Sequence, residues 1–86
     1  MRLKAEYLTQ AIGDEYLLIP TADATNQSLL RANRTFGEVL ELLKTESTEE
    51  QIVDALCERF DAPRDRISQG VESVIEALRA YGALQE

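Results

Sequence analysis

The chain has 86 residues and a formal charge of −7, with 44% hydrophobic and 29% charged residues. This length serves one hydrophobic core, and the apolar fraction is that of a folded globular protein, so we expect a single domain over residues 1–86. The sequence has no histidine and one cysteine, Cys57, which excludes imidazole catalysis, the commonest transition-metal ligand and an internal disulfide.

The distribution of charge indicates which partners to expect. Four basic and six acidic residues give −2 over residues 1–43, and five basic and ten acidic residues give −5 over residues 44–86. Nucleic-acid binding depends on clustered Lys and Arg, so we expect no nucleic-acid partner. No stretch approaches the roughly 18 to 20 apolar residues of a membrane span, and the first residues lack the apolar core of a signal peptide. We therefore expect a cytoplasmic protein without membrane contact.

Residues 3–12 and 16–20 predict a β-hairpin. The first segment mixes apolar and polar residues as a half-exposed strand does, Gly13 supplies the turn, and Pro20 ends the second segment. The second segment, "YLLIP", places apolar side chains on both faces, which predicts a central strand covered on more than one side.

A third strand is predicted at residues 28–32, "SLLRA". The segment is short and apolar, and Arg31 interrupts it. A charged residue discourages indiscriminate pairing at the edge of a sheet, so we expect this strand to be an edge strand.

Two helices should follow. Asn33 is a good N-cap, and helical spacing of apolar residues predicts a first helix over 34–44, with Gly37 as a weak point. Ser47 precedes Glu50 by three residues, which is typical of a capping box at the start of a second helix. "DAP", residues 61–63, should end that helix, because proline cannot continue one.

A third helix should begin near residue 65 or 66 and run to Tyr81, with Gly82 as its C-terminal stop. Its apolar face consists of Ile67, Val71, Val74, Ile75 and Leu78. One shoulder of that face holds the small residues Gly70 and Ala77 together with Tyr81, and the other holds Ser68, Glu72 and Arg79.

The predicted fold is α+β: a three-stranded antiparallel sheet followed by three helices. We predict no catalytic residue, metal or cofactor. Glu72 and Glu76 stand one helical turn apart, but nothing else converges on them, so they are interpreted as part of a solvated face. The remaining candidate is the edge strand, whose unpaired backbone groups can take up an extended peptide as one more strand. The same edge could also simply be protected, or pair with a second copy of the chain as a homodimer.

The chain resembles the PqqD family, the small proteins named after the one in pyrroloquinoline quinone biosynthesis and also called RiPP recognition elements. Four segments carry the resemblance in order and cover nearly the whole chain: "IGDEYLLIP", "NRTFGEVLELL", "STEEQIVDALCERFD" and "VESVIEALRAYGAL". Ala32, Phe36, Leu40 and Gly70 depart from the residues usual in that family.

This resemblance implies a winged-helix-like domain without chemistry of its own. Such proteins bind the leader segment of a ribosomally made precursor peptide as an added strand, between the third strand and the third helix. They present it to a modifying enzyme, often a radical SAM enzyme. The expected peptide-binding residues are Ser28, Leu29, Leu30, Arg31 and Ala32 on the strand and Gly70, Val74, Ala77 and Tyr81 on the helix.

Two other interpretations stay open at this point. A winged-helix DNA-binding or regulatory domain would have the same order of helices, although its recognition helix would set Arg66 and Arg79 against Glu72 and Glu76, a poor surface for phosphate. A structural domain that dimerises through the third strand would need no peptide ligand.

Overall fold

The computed structural model describes residues 1–24 and 27–86, and these contain five strands and three helices. The strands are β1 (Arg2–Leu3), β2 (Tyr7–Ile12), β3 (Glu15–Pro20), β4 (Leu30–Ala32) and β5 (Leu84–Gln85). The helices are α1 (Arg34–Leu42), α2 (Glu49–Arg59) and α3 (Arg64–Tyr81). Each of the three helices in the described part of the chain is too short or too polar to span a bilayer.

The predicted hairpin is confirmed as β2 and β3, which pair antiparallel from Tyr7 opposite Pro20 to Ile12 opposite Glu15. Gly13 in the turn has φ of 59°, a conformation that glycine adopts without the steric cost of a Cβ. The strand predicted over 3–12 is interrupted, however. Its first residues form β1, which pairs with β5 at the end of the described chain.

The strand β3 is central, as predicted, because the sheet order is β2-β3-β4. Leu18 is fully buried beneath the helices, but the prediction of cover on both faces is wrong. Leu8 and Ile12 are 56% and 54% exposed on the other face, and no described element packs over them. That face also bears the half-buried side chains of Leu17 and Ile19.

The third predicted strand is confirmed as β4, but it is shorter than residues 28–32. Continuing the observed register would place Ser28 opposite Pro20, which has no N–H to donate to a ladder. The carbonyl of Ser28 instead accepts a hydrogen bond from the hydroxyl of Tyr81 on α3. The backbone ladder therefore begins at Leu30.

The helices begin and end close to the predicted residues, with one correction to a cap. The Asn33 side chain caps α1 by accepting from the backbone N–H of Phe36, at 2.8 Å. At α2 the cap is Thr48, not Ser47, and its capping-box partner is Gln51, not Glu50. Ser47 donates its hydroxyl hydrogen to the Leu42 carbonyl, at 3.0 Å, so it belongs to the preceding turn.

The core lies between one face of the sheet and the three helices. Its largest fully buried side chains come from β3, the helices and the turn after α1: Leu18, Val39, Leu40, Leu43, Ile52, Leu56, Val71 and Leu78. The α+β prediction is confirmed, and the helices leave one edge of the sheet, β4, beside α3.

Candidate functional site

The edge of the sheet is formed by β4, which pairs with β3 and with no other described strand. Side chains alternate along it: Leu30 and Ala32 point toward the helices, whereas Arg31 points to the outer face opposite Leu17. Leu29, which precedes the strand, is 52% exposed. One row of backbone N–H and C=O groups on this edge therefore has no ladder partner within the described chain.

At one end of this edge, α3 contacts the residues that precede β4. The Tyr81 hydroxyl donates to the Ser28 carbonyl, and the Tyr81 ring packs on Tyr7 of β2 with ring centroids 5.4 Å apart and planes tilted by 57°. Burial raises the pKa of the Tyr81 phenol, and Tyr7 raises it further. Tyr81 therefore closes the gap between β4 and the C-terminal end of α3.

At the other end, a cavity of about 210 Å³ opens between the start of α1, the end of α2 and the first half of α3. Its lining consists of Thr35, Leu56, Phe60, Ala62, Arg66, Ile67 and Gly70. Tyr81, at the end of α3, contacts Ser28 before β4, whereas Gly70, nearer the start of α3, shares this cavity with Thr35 after β4. The helix therefore runs along β4 in the opposite direction. From Gly70 to Tyr81 the helix rises roughly 16 Å. We call the space along this length the β4–α3 groove.

The predicted helix residues differ in how exposed they are on this side of α3. Gly70 is half-exposed, and a Cβ added to it would contact nothing. Ala77 is exposed, Tyr81 is half-buried, and Val74 is 7% exposed and belongs mainly to the core. The small side chains of Gly70 and Ala77 therefore leave open space along this side of α3.

Of the predicted residues, the structure brings Ser28 and Tyr81 into direct contact. It also adds residues that the sequence did not single out for this role: Tyr7 at one end, and Thr35, Phe60 and Arg66 at the other. No spacing rule links them, because they come from four different elements or their flanks. Only the packing of those elements brings them to one groove.

The opposite shoulder of α3 borders a larger cavity, of about 410 Å³, which includes Glu49, Glu72, Glu76 and Arg79 in its lining. Arg79 pairs there with Glu86, with Nε and Oε2 3.1 Å apart; this pairing raises the pKa of the guanidinium and lowers that of the carboxyl. This cavity lies away from β4 and is rich in carboxylates. Among the described residues no group of three potential ligands could hold a metal ion.

Comparison with known proteins places this fold in a family. Residues 15–84 match the family model of coenzyme PQQ synthesis protein D (PqqD). The fold is similar to that of TbiB1 in complex with the TbiA(beta) leader peptide, with a TM-score of 0.82 and 20% identity over 99% of this chain and 95% of that one. No curated protein sequence matches the chain significantly. Because the family model covers well over half of its residues, the chain belongs to the PqqD family.

Proposed function

We propose that residues 1–86 act as one non-catalytic peptide-binding domain, which takes up the leader segment of a ribosomally made precursor peptide as an extra strand on β4. The observation that supports this most directly is an unpaired strand edge beside a helix wall of small residues, Gly70 and Ala77. An extended peptide on that edge would gain backbone hydrogen bonds from β4 and side-chain contacts from α3.

The dimensions of the β4–α3 groove support this proposal. Its length of roughly 16 Å accommodates about five extended residues at about 3.3 Å each. Alternate side chains of such a strand would point toward α3, and the cavity beside Gly70 has room for an apolar one. Membership of the PqqD family and the likeness to a protein in complex with a leader peptide agree with this mode of binding.

Because β4 is shorter than the predicted strand, the roles proposed for its residues differ from those expected. Leu30, Arg31 and Ala32 would supply the ladder, and Ser28 and Leu29 would flank its first residue. Gly70, Val74, Ala77 and Tyr81 would form the wall that faces the peptide. Val74 contributes least because it is 7% exposed.

We also propose a partner enzyme that modifies the bound peptide. A domain that only holds a peptide needs an enzyme to modify it, and the family resemblance favours an enzyme of the radical SAM type. Ribosomal precursors are made in the cytoplasm, so we propose that location as well.

Two competing interpretations use the same elements. A homodimer could form by pairing β4 with β4 of a second copy, which would occupy the same edge. A DNA-binding role would require α3 to approach phosphates, yet Glu72 and Glu76 are exposed on that helix.

A selection experiment tests the proposal and does not require the precursor itself. A display library of random dodecapeptides is selected on the wild-type chain and on Ala77→Trp, which fills the β4–α3 groove from an exposed position. Glu72→Trp, on the opposite side of α3, controls for the added indole. We expect peptides enriched on wild type and on Glu72→Trp to bind Ala77→Trp at least tenfold more weakly.

The location of binding is then mapped by amide chemical shifts on adding a selected peptide. Shifts concentrated on β4 and the facing side of α3 would support strand addition. Equal binding to Ala77→Trp, or no enrichment over empty support, would refute it. Light scattering with and without the peptide tests the dimer: dissociation on adding peptide would show that a second copy competes for β4, whereas a dimer that persists at saturating peptide would use another surface.

A further inference from the structure

Two arginines border the β4–α3 groove, Arg66 near the start of α3 and Arg31 in the middle of β4. Arg66 lines the cavity beside Gly70, and Arg31 lies on the exposed outer side of β4. Neither guanidinium forms an ion pair with any residue that the structure describes. Three other arginines are paired, Arg59 with Glu38, Arg64 with Asp54 and Arg79 with Glu86, whereas Arg2 and Arg34 also form no ion pair among the described residues.

The surroundings of Arg31 leave its charge available on the side where a peptide would lie. Its cross-strand neighbour on β3 is Leu17, and the diagonal neighbour Glu15 forms no ion pair with it. A strand added beyond β4 would place one of its own outward side chains about 5 Å from Arg31 at the Cβ atoms. Charge of opposite sign stabilises such a cross-strand pair.

On the helix side, none of the residues that line the cavity carries a carboxylate. At about 100° per residue, Arg66 and Ser73 lie roughly 40° and 60° from Gly70 on the solvent side of the helix wall, and Ala80 follows at roughly 80°. The nearest carboxylate in that direction, Glu76, is roughly 120° away. In a chain of net charge −7, the two arginines and the absence of a carboxylate from the cavity lining give this side of the groove a local excess of positive charge.

We infer that the β4–α3 groove selects peptides that carry a carboxylate beside Arg31 and Arg66, within a segment of alternating polar and apolar residues. The inward side chains of the segment contact the helix wall and the cavity, and are apolar. The peptide carries an Asp or Glu at one of two places: the outward residue next to Arg31, or the residue beyond the cavity, next to Arg66. This inference rests on the proposed function and names the class of peptide that it would bind.

The overall negative charge does not prevent this selection. Charges on exposed surfaces are screened beyond about 8 Å at physiological ionic strength, so the carboxylates of the opposite shoulder of α3 act weakly on a peptide in the groove. The two arginines act at contact distance. The acidic surface elsewhere then disfavours binding of acidic peptides at any other place.

The test repeats the dodecapeptide selection on wild type, Arg31→Glu and Arg66→Glu. Arg2→Glu serves as the matched control, because Arg2 is exposed on β1, in the other sheet, and the substitution changes net charge equally. We expect wild type and Arg2→Glu to enrich Asp or Glu at one position flanked by apolar residues. Arg31→Glu or Arg66→Glu should enrich Lys or Arg at that position instead.

One selected peptide is then synthesised with Glu, Gln or Lys at the enriched position, and its binding is measured by fluorescence anisotropy. The Glu form should bind wild type about threefold to tenfold more tightly than the Lys form, and a charge-reversed arginine should invert that order. The inference is overturned if all three forms bind equally, or if neither arginine substitution alters the preference. If only this inference fails, the peptide should still bind Ala77→Trp more weakly than wild type. If the proposed function fails as well, the peptide should bind Ala77→Trp and wild type equally.

Discussion

Gly37 and Gly70 are both helix-interior glycines, yet they have opposite surroundings. A Cβ added to Gly37 would overlap the ring of Tyr16 on β3, so this glycine allows α1 to approach the sheet. A Cβ added to Gly70 would contact nothing. The weak point expected at Gly37 is therefore a packing requirement, which the helical pattern alone does not reveal.

Alanine substitutions at the two glycines should change the free energy of unfolding in opposite directions. Gly37→Ala should lower the free energy of unfolding by about 1 to 3 kcal/mol through overpacking, despite the better helix propensity of alanine. Gly70→Ala should raise it by up to about 1 kcal/mol. Urea denaturation measures both, and adding Tyr16→Ala to Gly37→Ala should remove the clash. Stabilisation by Gly37→Ala alone would contradict the close packing.

Tyr81 predicts a pH dependence of stability. Its pKa is raised in the folded chain by burial and by Tyr7, so the folded state favours the neutral phenol. This contribution is complete below the unfolded pKa of about 10 and is lost as pH rises through the higher folded value. The wild-type free energy of unfolding should therefore fall more steeply above about pH 10 than that of Tyr81→Phe. Denaturant titrations at several pH values measure this difference, and parallel curves would exclude the contribution.

At the scale of elements, the start of α2 depends on a reciprocal pair of hydrogen bonds. The Thr48 hydroxyl accepts from the Gln51 N–H at 3.1 Å, and the Gln51 side chain accepts from the Thr48 N–H at 2.9 Å. The sequence predicted Ser47 with Glu50 as this pair. The structure uses Thr48 with Gln51 instead, and the Ser47 hydroxyl donates to the Leu42 carbonyl in the turn after α1.

The cap predicts a specific loss of stability. Thr48→Ala should lower the free energy of unfolding by about 1 kcal/mol, since the N–H of Gln51 loses its acceptor. Thr45→Ala is the control, because that exposed hydroxyl reaches the Leu42 carbonyl only at 3.5 Å and should matter by less than about 0.5 kcal/mol. Chemical denaturation compares the two. Equal effects would show that Thr48 does not cap α2.

Over the whole molecule, the first and last strands join distant parts of the chain. Leu3 pairs with Leu84, and the N–H of Lys4 donates to the Ala83 carbonyl at 2.8 Å. Ala83 is fully buried and Leu84 is 8% exposed. This second small sheet fixes the residues after α3 and thereby supports the position of Tyr81 at the end of the groove.

The contribution of β5 to the stability of the fold can be measured at Leu84. Leu84→Ala should cost about 2 to 4 kcal/mol, because it leaves a cavity in the core. Gln85→Ala, an exposed position on the same strand, should change stability by less than about 0.5 kcal/mol. Thermal unfolding followed by circular dichroism compares the two variants. Similar melting temperatures would mean that β5 is not part of the cooperative core.

Local patterns in the chain were enough to predict the order of the elements, the hairpin with its Gly13 turn, the ends of the helices and the edge position of "SLLRA". These features follow from alternation in strands, a period of 3.6 in helices, caps, and the backbone limits of glycine and proline. Such signals lie within a few residues of one another. They are therefore readable before any tertiary contact is known.

Contacts between distant segments were needed for the pairing of β1 with β5, the shortening of β4 beside Tyr81, and the joining of Thr35, Phe60 and Arg66 around one cavity. Strands of two residues carry no periodic signal of their own. Which hydrogen-bond acceptor or apolar partner a side chain finds is a result of packing the whole chain. For that reason the sequence predicted the edge, and the packing determined the length, the ends and the charge of the groove beside it.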